Sequence, residues 1–147
     1  NQTARAVEIY EGCLNGVFAE NEHVLLQLIN AYSRLKDYPK VIATTRKVYK
    51  LPQFARSRPH MLYAQALEAT GDIGAAETEF KKMTARFSNF EARYQYGQLL
   101  LRQDRPAEAA KLYRDMIDEA GQLSPRERSA YRQWVGLAKE SLRVLKA

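Results

Sequence analysis

Phe90-Glu-Ala-Arg-Tyr-Gln-Tyr-Gly-Gln-Leu-Leu-Leu-Arg-Gln103, a break at Asp104-Arg105, then Pro106-Ala-Glu-Ala-Ala-Lys-Leu-Tyr-Arg-Asp-Met-Ile-Asp-Glu119 is the stretch that decides the fold. The first run reads as a helix with a small residue, Gly97, at its middle. The second begins on a proline and carries Ala109, Tyr113, Met116 and Ile117 at helical spacing. Small residues let two helix axes approach, and an aromatic ring one turn on fills the space beside the crossing. The stretch therefore reads as one helical hairpin.

The hairpin has echoes. Gly97 and Ala109 are 12 apart, as are Ala64 and Ala76 at a shift of 33, and Ile29 and Val41 at a further shift of 35. Ala76 is followed by Phe80 as Ala109 is followed by Tyr113. At the start of the chain, Ala6 and Tyr10 read as the second helix of another unit. The expected helices are Thr3–Val17, Glu22–Leu35, Pro39–Tyr49, Pro59–Thr70, 73–86, Phe90–Gln103, Pro106–Gly121, and a last one from the Ser124-Pro125-Arg126-Glu127 capping box to about Val144. Residues 53–57 read as a loop. No segment alternates long enough to be a strand, so the expected class is all-α with about eight helices.

A period of 33–35 residues with two helices per period is the arithmetic of a helical solenoid. Tyr96-Gly97, Leu100, Ala109, Tyr113 and Met116, with Tyr63-Ala64, Leu67, Gly71, Ala76, Phe80 and Met83 before them, resemble the tetratricopeptide repeat. The earlier unit (Leu25, Leu28, Tyr32, Val41, Val48) departs at Ile29 and Thr45, and the repeat-ending proline is absent after Phe87 and displaced to Pro52. The resemblance implies a right-handed superhelical solenoid of antiparallel helix pairs in one domain, 1–147. Its parts are a half-repeat at 1–18, repeats at about 22–55, 57–89 and 90–121, and a capping helix at 124–146. The composition further resembles the soluble part of bacterial repeat proteins that carry a short N-terminal anchor.

Composition narrows the function classes. The chain has 147 residues, 46% hydrophobic and 27% charged, with net charge +6. That fits a globular chain, and no apolar run spans a bilayer. The start at Asn1 suggests an excised piece of a cytoplasmic protein, tethered to a membrane only through a missing N-terminal segment. Cys13 stands alone on an apolar face and reads as a buried thiol. His23 and His60 have no Cys or carboxylate at metal-ligand spacing, so both read as surface residues and no metal site is expected. Glu68, Asp72, Glu77 and Glu79 have no base or nucleophile paired with them. There is no phosphate loop, no Ser/His/Asp set and no dinucleotide fingerprint, so neither an enzyme nor a cofactor is expected.

In such a solenoid the first helices line a concave groove. By spacing, the groove takes Leu26, Asn30, Arg34, Met61, Gln65, Glu68, Tyr94, Gln98 and Leu101. Asn30, Gln65 and Gln98 form a ladder of amides able to donate to and accept from a peptide backbone. The expected role is a noncatalytic scaffold for a peptide or partner protein. A family-type Lys-and-Asn clamp for a terminal carboxylate is rejected, because Leu26, Leu62 and Arg58 do not complete the set beside Asn30. The alternatives are a basic module for nucleic acid or an anionic membrane surface, with nucleic acid the disfavoured partner, or weak homo-oligomer assembly. The last helix motivates both: a basic stripe (Arg128, Arg132, Lys139, Arg143, Lys146) lies beside apolar Trp134, Leu137 and Val144. Those three are expected to stay partly exposed as an interface.

Overall fold

The computed structural model describes residues 2–13 and 21–146. Among them are eight α-helices and no strand: α1 (Gln2–Cys13), α2 (Glu22–Arg34), α3 (Tyr38–Val48), α4 (Arg58–Ala69), α5 (Ile73–Lys81), α6 (Phe90–Arg102), α7 (Pro106–Gly121) and α8 (Pro125–Lys146). None is long and apolar enough to cross a membrane.

Short polar residues start the helices. The Asn21 side chain accepts the Val24 N–H, Asp37 the Lys40 N–H and Ser57 the His60 N–H, each satisfying a donor that the helix leaves orphaned. Pro39, Pro59 and Pro106 occupy first-turn positions, where a missing N–H costs nothing. At the head of α8, Ser124 and Glu127 bond reciprocally, side chain to backbone.

The three turns between paired helices are the same turn. Lys36, Gly71 and Asp104 all have positive φ, at 58°, 95° and 57°. The N–H of the next residue reaches back to the same place each time: Asp37 to the Tyr32 carbonyl, Asp72 to Leu67, Arg105 to Leu100, all at 2.9 Å. This is the left-handed helix end that closes the last carbonyls internally. Its recurrence at spacings of 35 and 33 is a structural counterpart of the sequence period.

Two compact units divide the chain, Asn1–Glu79 and Phe80–Ala147. In the first, α1 packs on α2, and α2, α3 and α4 pack on one another. Leu25, Leu28, Ile29, Val41 and Val48 fill the space between them. On α1 the buried residue is Val7, with Ala6 and Tyr10 half-buried; the apolar face is turned one residue from the expected Ala6–Tyr10 line. The Cys13 side chain and the expected end of this helix, 14–17, lie outside the described residues. The 53–57 segment is a run of turns around a fully buried Phe54, whose ring lies 5.0 Å from that of His60 and 5.6 Å from that of Tyr49.

In the second unit, α6, α7 and α8 pack against one another. Gly97 is the crossing point: a Cβ placed there would overlap the Tyr113 ring, which is fully buried. The Tyr113 hydroxyl accepts from Gln98 Nε2 at 2.7 Å, and burial pushes its pKa up to about 12 despite that bond. The helix expected over 73–86 ends at Lys81. There the Thr84 hydroxyl bonds the Lys81 carbonyl and Ser88 bonds Ala85, local bonds that compete with helix continuation, while Met83 still buries its side chain. At the other end α8 runs past Val144 to Lys146.

Candidate functional site

A polar cleft of about 470 Å³ lies against α1, α2 and α4 in the first unit. Gln27, Asn30 and Arg34, at helical spacing on α2, form one wall; Arg58 and Leu62 on α4 form another, and Tyr10 of α1 closes the side. Asn30 Oδ1 is buried and has no hydrogen-bond partner in the protein. A buried acceptor is satisfied by a donor from a water, an ion-bound group or a ligand, which makes Asn30 a candidate contact in this cleft.

The expected groove residues separate into groups. Asn30 and Arg34 are brought together in this cleft. Leu26 is half-buried on α2 and lines no part of it; Gln65 and Glu68 are half-buried on α4 and do not line it either. Met61 does not face a groove at all, being 3% exposed. The reason is the breadth of the buried arc of α4, which takes in His60, Met61, Leu62, Ala64, Ala66 and Leu67. A narrow stripe reading placed Met61 outside it, and the cleft-facing residues are one position on or three back, Leu62 and Arg58.

In the second unit, Gln98 spends its amide on the Tyr113 hydroxyl and lies 3.5 Å from the Ser141 hydroxyl. Tyr94 is half-buried between the Tyr113 and Trp134 rings, with centroids 5.7 Å and 6.0 Å away, and Leu101 is half-buried. Both Tyr94 and Gln98 therefore tie α6 to its neighbours. Trp134 is partly buried on Tyr94, while Leu137 is 37% and Val144 59% exposed.

Two buried polar clusters were not expected from the sequence, and the first corrects it. His60 is not a surface residue: it is 3% exposed. Its Nδ1 accepts the Arg56 N–H at 2.9 Å, which leaves the proton on Nε2 to be donated to Glu79 Oε1 at 2.8 Å. Tyr49 donates its hydroxyl to the same carboxylate at 2.9 Å. Glu79 thus has two partners that spacing alone did not supply. His23, by contrast, is exposed.

The second cluster joins Arg93 and Glu119 in a two-pronged ion pair, 2.6 and 2.7 Å, with Arg93 only 2% exposed. Glu119 Oε1 also accepts the Phe87 N–H at 2.8 Å. Burial raises the Glu119 pKa, but the Arg93 bonds, the Phe87 N–H and the Arg93 charge outweigh it, and the carboxyl sits below its ordinary value. Both clusters are sealed in the packing and hold interhelical turns. Among the described residues no group of three or more His, Cys, Asp or Glu is placed to hold a metal ion.

No protein-family model, curated protein or solved structure matches the chain.

Proposed function

We propose that the chain is a noncatalytic helical-repeat scaffold of the tetratricopeptide type, and that it holds an extended peptide of its partner in the α1–α2–α4 cleft. The observation that carries the binding site is Asn30 Oδ1, a buried acceptor without a donor in a cleft walled by Arg34 and Arg58. A peptide N–H is the natural complement of that oxygen, and an acidic side chain on the same peptide suits the Arg34 guanidinium one turn on. The repeat assignment is supported by the recurring positive-φ turn and by the contact of Gly97 with Tyr113.

The test is peptide selection from a random display library on the immobilised full chain, followed by titration of the selected peptides. Asn30→Leu and Arg34→Glu should each weaken binding about tenfold or more, as loss of a buried hydrogen bond or a charge pair does. Selected peptides that bind both variants as tightly as wild type would remove the cleft from the reading.

A further inference from the structure

A second surface, independent of that cleft, lies in the other unit. α7 and α8 diverge along a groove of about 530 Å³. Its floor is apolar, with Ile117 and Ala120 from α7 and Val135 from α8. Its rim is cationic: Arg128, Arg132 and Lys139 stand on the same face of α8 and are exposed. The first and last are 11 residues apart, roughly 16 Å along the helix.

None of the three cations pairs with a carboxylate among the described residues. The acids of α8 are engaged elsewhere, Glu127 at the Ser124 cap and Glu140 with Arg143. Gly136 also lines the groove, in the middle of a 22-residue helix. Glycine weakens a helix interior relative to alanine. No described residue requires it, because a Cβ at Gly136 would meet no described atom within 4 Å. A glycine facing open space is suited to close approach by another backbone.

We propose that this groove receives an acidic amphipathic helix from a partner protein, its apolar stripe on Ile117, Ala120 and Val135 and its carboxylates against Arg128, Arg132 and Lys139. The rim cations recur at helical pitch, so a helix lying along the groove presents carboxylates at the same pitch. A nucleic-acid backbone would satisfy the cations and leave the apolar floor bare. A second copy of this chain, itself carrying +6, would bring surplus charge of the wrong sign.

The test uses the full chain and a fluorescein-labelled synthetic helix with a leucine stripe flanked by glutamates, followed by anisotropy. A permuted peptide of the same composition, lacking the stripe, is the control. The striped helix should bind at least about tenfold tighter than the permuted one, and added salt should weaken it. Arg132→Glu and Gly136→Leu should each cost about tenfold, whereas Lys50→Glu, an equal charge change at an exposed site in the other unit, should cost less than about twofold. Variants are compared only where their far-UV circular dichroism melts match wild type; Arg132→Gln replaces Arg132→Glu if it does not fold. Equal binding of the two peptides, equal losses for Arg132→Glu and Lys50→Glu, or no binding would each overturn the proposal. So would sedimentation of the protein with phosphatidylserine vesicles, or capture by single-stranded RNA, where the striped helix fails to bind.

Discussion

His60 in the first unit and Arg93 in the second hold the same address. They are 33 residues apart, each in the first turn of the first helix of a hairpin, and each nearly fully buried. Each binds a carboxylate from the following helix, and each cluster fixes an N–H of the turn that precedes it, Arg56 or Phe87. The solutions differ. His60 is a neutral relay, accepting on one nitrogen and donating from the other, with Tyr49 completing the carboxylate. Arg93 is a two-pronged ion pair whose Nε is left without a partner. The carboxylates also come from different places, Glu79 three residues after Ala76 and Glu119 ten after Ala109. That follows from helix length: α5 stops at Lys81, whereas α7 carries on to Gly121 and brings a later residue around to the same side. One more period back, the address holds Leu25, also buried. The three equivalent positions thus share burial, and at two of them a polar side chain pins the preceding turn by different chemistry.

The largest expected effect comes from removing the Arg93 cation. Arg93→Leu leaves Glu119 buried with the Phe87 N–H and the Arg86 charge but no direct cation, and breaking a buried pair this way costs about 3–5 kcal/mol. His60→Leu should cost less, about 1–3 kcal/mol, because Tyr49 still donates to Glu79 and the losses are one neutral relay and the acceptor for Arg56. Urea unfolding of both variants measures the difference. Equal losses would show that the relay and the ion pair are energetically the same device, and the distinction would fall.

The all-helical class was legible because it rests on features that repeat locally. Gly97 with Tyr113 and the Gly71-Asp72 stop each leave a signature within a few residues, and the helices begin within a residue or two of where caps and prolines place them. The buried pins were not legible in the same way. A lone histidine reads alike in a core or on a surface, and Glu79 lies 19 residues from His60 on another helix. Arg93 and Glu119 are 26 apart on different helices, and neither carries a local signal of the other. The available signal was the period itself, since stepping 35 and 33 residues from the apolar Leu25 lands on His60 and Arg93. The site was half legible. Asn30 and Arg34 sit one turn apart on a helix whose apolar stripe is narrow, so their outward direction followed from α2 alone. On α4 the buried arc is wide, and Met61 could not be told from Leu62 without the neighbouring helices. Tyr94 and Gln98 face α8, whose docking position no local pattern contains.

The finest separation of the two pins is by proton linkage. Glu119 has its pKa held below the ordinary 4.5 in the folded protein. A depressed carboxylate contributes stability that is fully present above its unfolded value and is lost as pH falls through the folded one. Glu119→Gln keeps an acceptor for the Phe87 N–H and one bond from Arg93 while deleting the charge, so it isolates the ionic part of the pin. At neutral pH the variant should melt below wild type. On acidification the gap between the two melting curves should stay level down to about pH 4.5 and narrow below it, because protonation turns wild type into the near-isostere of the variant. A gap that stays constant well below pH 4.5, with both proteins still folding cooperatively, would mean that the charge on Glu119 contributes nothing and that shape and hydrogen bonding alone pin the second unit.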